Sequence, residues 1–215
     1  MSTVAEPAYR QRIAYHATLL GGFATLAATL LLLGNLSTRA PIEKRLAEDM
    51  LASLSQVIPP GVHDNNLLDD VMIFSDKAED ALKVYQAKKG NSVTAVAFGI
   101  TAQGYAGDIK MVLGIGRDGN ILGVRVLTHA ETPGLGDRIE VKKSDWILGF
   151  NGLSLNNTPA SHWHVKKDGG RFDQFSGATI TPRGVVKAIK EGLDFFTANK
   201  SVLLDAAQTE TKEAE

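Results

Sequence analysis

Three hydroxyl side chains lie close together in the segment DQFSGATITPRG, residues 173–184. They belong to Ser176, Thr179 and Thr181, and the two residues between the first pair are a glycine and an alanine. Pro182 then opens an amphipathic run, so Thr181 is predicted to be the N-cap of a helix with the proline in its first position. A helix N-terminus attracts phosphate through its free N–H groups and its dipole. A phosphorylated or phosphate-linked group on Thr179 therefore suits this loop.

A second candidate loop has the sequence HAETPGLGD, residues 129–137. Its glycines and its proline make it compact and allow a ligand to approach the backbone closely. Glu131 and Thr132 add polar groups. Taken alone, the loop is also consistent with a simple connecting turn.

The composition excludes several kinds of chemistry. The chain of 215 residues contains no cysteine, which excludes disulfides, thiolate catalysis, cysteine-ligated zinc and iron–sulfur clusters. A formal net charge of -1 gives no sign of nucleic-acid binding. If the protein carries electrons, an organic cofactor must do so.

Two other patterns are interpreted as structural. His162 and His164 would share a face of a short strand predicted over 162–165, but no third ligand is near them, so no metal site is predicted. Three glycines between residues 114 and 119 spell G-x-G-x-x-G. A dinucleotide fingerprint opens a helix, whereas this pattern runs into a strand, so we interpret its residues as hairpin glycines.

An apolar N-terminal segment is the first of the elements that must position these loops. No charged residue occurs from Ile13 to Leu36, and a bilayer core requires about 20 mostly apolar residues in a helix. Small residues within it suit packing against other membrane helices. The run is long for a cleaved signal peptide and no clear cleavage site follows it, so a retained anchor is predicted. The flanking charges do not set its orientation.

The remaining chain predicts an α+β domain with an antiparallel sheet and flanking helices. A helix is predicted over 41–57, ended by the Pro-Pro-Gly at residues 59–61. Strands are predicted over 82–87, 93–101, 109–115 and 121–127, with a hairpin turn at Asp118-Gly119. The last predicted element is the amphipathic helix that begins at Thr181.

The two loops together resemble a known family. Asp173, Ser176, Gly177, Ala178 and Thr179 match the D-x-x-[S/T]-G-A-T flavinylation motif, and HAETPGLGD matches the second FMN-contacting loop of that family. The apolar anchor and the order of the two loops also match, so the chain resembles the G subunits of Rnf ion-translocating electron transport complexes. The resemblance extends from the anchor to about Phe196. The C subunits of the sodium-pumping NADH:quinone oxidoreductase are a sister group.

The resemblance implies a covalent cofactor and its site. A separate flavin transferase would link FMN to Thr179 through a phosphoester. Asp173 would help the transferase to bind the loop. The resemblance implies no catalytic residue and no metal ligand. The remaining expected FMN contacts are Ser176, Gly177, Ala178, Thr181, Glu131, Thr132, Leu135 and Gly136.

The resemblance also implies where the protein works and with what. The expected protein crosses the bacterial inner membrane once, contacts lipid, and holds its FMN domain on the periplasmic side, where the flavin transferase works. Its expected partners are the other membrane and peripheral subunits of the Rnf complex, which moves electrons between ferredoxin and NAD and couples that flow to ion movement. The expected organisation is a cytoplasmic N-terminus (1–12), a transmembrane helix (13–36), a helical linker (37–81), an FMN-binding domain (82–200) and a polar tail that frays (201–215).

Three alternatives remain open at the level of sequence. The first is the FMN subunit of a sodium-pumping NADH:quinone oxidoreductase, which different copurifying subunits would reveal. The second is a regulatory flavin-binding domain whose flavin does not change redox state during turnover. The third is a solute-binding module with an unmodified Thr179, which would lack flavin when produced natively.

Overall fold

The computed structural model of the protein describes residues 13–74 and 81–205. The expected cytoplasmic segment 1–12 and residues 206–215 of the expected tail lie outside the described residues. The chain divides into two compact units, Met1–Glu48 and Asp49–Glu215.

A single helix, α1, runs over Ile13–Val57 where the sequence predicted two. Pro41 lies inside it, because the loss of one helix hydrogen bond at a proline does not stop the flanking turns from continuing. The helix has 45 residues, and an 18-residue window of it has a mean hydropathy of 1.8, so it is long and apolar enough to cross a bilayer. None of that window is buried against the rest of the described protein. The hydroxyls of Thr25 and Thr29 each donate at 2.8 Å to a carbonyl one turn earlier, which satisfies them without water.

Within residues 13–74 and 81–205, five antiparallel strands form one sheet in the order of the chain. The predicted α+β fold is confirmed, and so are the four predicted strands. The sheet also contains a short first strand that lies within the segment expected to be a helical linker. The strands are β1 (Val71–Phe74), β2 (Leu82–Lys89), β3 (Ser92–Gln103), β4 (Asp108–Gly116) and β5 (Ile121–Thr128).

The C-terminal end of α1 packs on one face of the sheet and explains two glycines. Val57 is fully buried over Gly114 of β4 and Gly123 of β5. A Cβ at Gly114 would lie 2.5 Å from the carbonyl oxygen of Val57. The G-x-G-x-x-G pattern therefore combines a packing glycine with the β4–β5 turn, where Gly119 has a φ of +92°.

A second helix, α2 (Ile180–Leu203), packs on the sheet with a buried face that includes Val185, Ile189 and Phe196. The sequence placed the start of a polar tail at residue 201, whereas the helix continues to Leu203, which is fully buried. The buried side chain of Gln86 in β2 donates through Nε2 to the carbonyl of Leu203 at 3.0 Å. This contact holds the C-terminal end of α2 against the sheet.

Short 3₁₀ turns replace the strand that was predicted over 162–165. His162 belongs to the turn Ala160–His162, which follows Pro159, and Val165 forms only an isolated bridge with Phe172. The alternating pattern comes from the burial of Trp163 and Val165 between exposed neighbours in these turns. Alternate burial is shared by strands and such turns, so the pattern alone could not separate them.

The contact between Val57 and Gly114 predicts a glycine-specific effect on stability. Gly114→Ala should lower the free energy of unfolding by about 1–3 kcal/mol, because the added methyl meets the backbone of α1. Gly99→Ala in β3 is the matched control, since its Cβ would have no neighbour nearer than 4.0 Å. Denaturant unfolding of the full chain in detergent, followed by tryptophan emission, measures both variants. Equal stability of the two variants would contradict this packing.

Candidate functional site

The loop before α2 presents Thr179 at the start of the helix. Gly177 has a φ of +81°, and the N–H of Ala178 donates to the carbonyl of Phe175 at 3.1 Å, so the chain turns tightly there. Thr179 is the N-cap residue, is half-buried, and its side chain makes no capping hydrogen bond. It is followed directly by Ile180 and Thr181, whose N–H groups have no carbonyl partner within the helix.

Thr181 does not cap the helix, so that prediction is wrong. It lies within the first turn of α2, is fully buried, and donates its hydroxyl to Oε2 of Glu131. Pro182 consequently occupies the third helical position rather than the first. The hydroxyl donates to a carboxylate, and a charge-assisted hydrogen bond of this kind is stronger than one between neutral groups.

Glu131 connects three segments of the chain. Its side chain is 5% exposed, and Oε1 accepts a hydrogen bond from the N–H of Ala106 in the β3–β4 turn at 3.0 Å. Its own N–H donates to Nδ1 of His129 at 3.0 Å, and Nε2 of His129 contacts Glu140 at 2.9 Å. The 129–137 loop, the β3–β4 turn and the start of α2 are thus joined at one carboxylate.

A cavity of about 440 Å³ lies where these three segments meet. It brings together most of the residues predicted to contact the cofactor. Ser176 is exposed outside the lining, and Thr181 is buried against Glu131 without reaching the cavity. The lining residues are Tyr105, Glu131, Thr132, Leu135, Gly136, Gly177, Ala178, Thr179 and Ile180.

Sequence reasoning missed Tyr105 and Ile180. Tyr105 is 72% exposed on the β3–β4 turn, and Ile180 and Leu135 also expose large apolar surfaces in the lining. The signal for Tyr105 was an aromatic residue in the glycine-rich turn QGYAGD, where small polar residues are usual. Apolar walls with a few polar groups are typical of sites for small organic ligands.

Asp173 lies outside the cavity lining, at the exposed beginning of the loop. Its Oδ1 pairs with Nζ of Lys166 at 2.6 Å, and its carbonyl accepts a hydrogen bond from the indole of Trp146 at 2.8 Å. A protein that approaches the loop from solvent would therefore reach Asp173 without entering the cavity.

An exposed ion pair that sequence reasoning also missed joins α2 to the turn at residues 166–168. Arg183 donates two hydrogen bonds to the Asp168 carboxylate, each of 2.6 Å. Hydrogen bonding to the guanidinium lowers the pKa of Asp168, and the same contact raises the pKa of Arg183. The pair holds the helix one turn beyond Thr179.

Comparison with known proteins places the cavity inside a known domain. Residues 104–194 match the FMN-binding domain family, and this range contains every residue that lines the cavity. The matched range begins at the Tyr105 turn and ends in the middle of α2.

Several curated relatives are similar over most of the chain, and each is named as the G subunit of an ion-translocating oxidoreductase complex. The protein of Cereibacter sphaeroides (strain ATCC 17023) is 52% identical over 86% of this chain and 85% of its own length. That of Stutzerimonas stutzeri is 48% identical over 87% and 82%, and that of Haemophilus influenzae is 45% identical over 90% and 95%. Among solved structures, that of Shewanella oneidensis NqrC is 24% identical with a TM-score of 0.45, over 70% of this chain and 73% of that one.

The contact between Thr181 and Glu131 gives the second prediction. Thr181→Val should lower the free energy of unfolding by about 1–3 kcal/mol, because one oxygen of a buried carboxylate loses its donor. Thr197→Val on the same helix is the control, since its hydroxyl donates only to the local carbonyl of Leu193. The control should change stability by no more than about 0.5 kcal/mol. Denaturant titration measures the free energy of unfolding of both variants. An equal decrease in the two variants would contradict the role of Thr181.

Proposed function

The chain belongs to the family of G subunits of ion-translocating oxidoreductase complexes, and from this we propose that it is a membrane-anchored flavoprotein that relays electrons within such a complex. One observation carries the proposal: the range matched by the FMN-binding domain family encloses the whole cavity lining. When bound, FMN supplies the redox chemistry, since it accepts and releases electrons.

The residues of the cavity fit FMN in two respects. Leu135, Ile180 and Tyr105 provide apolar and aromatic walls for a flat ring system. The first N–H groups of α2 lie beside Thr179 and suit a phosphate. The chain's own part is to bind the ring and to hold the phosphate at the helix start.

We propose that the FMN phosphate is esterified to the hydroxyl of Thr179. Of the three hydroxyls in the loop, that of Thr179 alone lies in the cavity lining and makes no capping hydrogen bond. Thr181 is buried and donates to Glu131, so a transferase could not reach it without breaking that contact. Ser176 is exposed but lies outside the lining.

A separate flavin transferase is the proposed source of the link, and Asp173 its proposed recognition residue. Asp173 is accessible at the outer end of the loop and bound to Lys166 in an exposed ion pair. Exposed pairs of this kind contribute little stability, so a partner protein can displace the lysine at low cost. The φ of +81° at Gly177 keeps the loop in a conformation that larger residues rarely adopt.

Membrane attachment through α1 follows from its length and from the family of membrane-complex subunits. Within its own unit α1 exposes Leu20, Phe23 and Leu31, which suit contact with lipid and with other subunits. We propose that the unit Asp49–Glu215 lies on the periplasmic side of the bacterial inner membrane. That proposal depends on the family resemblance and not on the flanking charges.

The alternative of a quinone-reductase subunit is not the better interpretation. Relatives at 45–52% identity over most of this chain are named as G subunits of ion-translocating oxidoreductase complexes. They favour membership of such a complex, whose other subunits are the expected partners.

The covalent link predicts which hydroxyl is required. Thr179→Val, coexpressed with the transferase, should abolish the flavin fluorescence that survives denaturation in a gel, because the shape is kept and the acceptor oxygen is removed. Ser176→Ala should keep the fluorescent band, since its hydroxyl lies outside the cavity lining. Peptide mass spectrometry should place the adduct on Thr179 in the unsubstituted protein. A fluorescent band from the Thr179→Val protein would refute the assignment.

The anchor and its orientation can be tested together because the chain has no cysteine. A cysteine at the exposed position of Ser201 should react with a membrane-impermeant maleimide in intact spheroplasts. A cysteine at Ser2 is the matched control and should react only after lysis. Full-length protein should remain in the membrane fraction after an alkaline carbonate wash. The opposite labelling pattern would reverse the orientation, and release by the wash would disprove the anchor.

A further inference from the structure

Glu131 is the one charged side chain among the described residues that line the cavity. Glu131 is buried, with 5% of its surface exposed, and it has no cationic partner in the described part of the chain. The other buried carboxylate of the same loop, Asp137, lies 3.6 Å from Nζ of Lys143. The loop therefore compensates one buried charge and leaves the one in the cavity uncompensated.

Two neutral donors hold the Glu131 carboxylate. They are the N–H of Ala106 on Oε1 and the hydroxyl of Thr181 on Oε2. Neutral donors stabilise a negative charge without cancelling it. The electrostatic potential of the carboxylate therefore extends into the cavity, where the surrounding protein screens it less than water would.

The charge is not needed for these hydrogen bonds. A glutamine side chain could accept from Ala106 through its carbonyl oxygen and donate through its amide to the hydroxyl oxygen of Thr181. A buried charge without a counter-ion is also costly to keep folded. An amide would join the same segments without that cost, which points to a use for the charge itself.

We infer that the negative charge of Glu131 lowers the reduction potential of the flavin in this cavity. The inference depends on the proposed function, since it concerns the same site. Reduction adds electrons to the flavin, and a fixed negative charge beside it raises the energy of the more electron-rich state. Glu131 acts as a tuning residue through space, and no bond to it is made or broken.

The test is the midpoint potential of the bound flavin in the full chain. Glu131→Gln keeps the size and a hydrogen bond to each partner, reverses the bond to Thr181 and removes the charge, so its midpoint should be more positive than that of the unsubstituted protein. The measurement is a reductive titration with dithionite against a reference dye, followed by flavin absorbance. Glu140→Gln is the matched control, because Glu140 contacts His129 outside the lining, and it should leave the midpoint unchanged.

Thr181→Val separates charge from structure. It keeps the Glu131 charge and disturbs the same contact, so it should not move the midpoint in the positive direction. If Glu131 were merely structural, Glu131→Gln and Thr181→Val would shift the midpoint alike, or neither would shift it. An unchanged or more negative midpoint in Glu131→Gln would overturn the inference.

Glu131→Met is a second neutral variant for the case in which the glutamine protein does not fold or does not retain flavin. Its midpoint should again be more positive. Failure of both neutral variants to fold or to hold flavin would also overturn the inference, because the charge would then act on folding. Absence of flavin from the unsubstituted protein would overturn the proposed function as well, whereas flavin with an unshifted Glu131→Gln midpoint would overturn only the tuning role.

Discussion

The hydrogen bonds of one buried carboxylate hold the cavity together. Glu131 binds Ala106, which is 25 residues earlier in the chain, and Thr181, which is 50 residues later. Small neighbours make room for it, since a Cβ at Gly136 would lie 2.5 Å from Oε2 and a Cβ at Gly104 would overlap Oε1. The position of the β3–β4 turn and the start of α2 relative to the 129–137 loop therefore depends on this side chain.

Helix α2 carries this arrangement across the domain because both of its ends are fixed. Its first turn is held through Thr181 and through the ion pair of Arg183 with Asp168. Its last turn is held by Gln86, whose amide donates to backbone carbonyls at the helix end. Between them the helix buries an apolar face on the sheet. A helix fixed in this way presents Thr179 at a constant position beside the cavity, as the proposed covalent link would require.

The sequence determined most of the elements and the two loops that line the cavity. Hydrophobic periodicity located four of the five strands and the apolar anchor, since burial and bilayer length act locally along the chain. It missed β1, which has four residues, and it divided α1 at Pro41 because proline is usually a helix boundary. The small residues around Thr179 also indicated an attachment loop, because the steric room they provide is a local property.

Only the tertiary structure decided what each polar residue of the site does. The sequence assigned Thr181 to a helix cap, because capping rules see only neighbours along the chain, whereas its hydroxyl is bound by a carboxylate from a distant loop. The sequence also did not predict that Tyr105 lines the cavity, because no local pattern indicates that its turn contacts Glu131. Hydrogen bonds of buried groups form between whichever segments the fold brings together, so their partners are fixed by the packing of the whole domain.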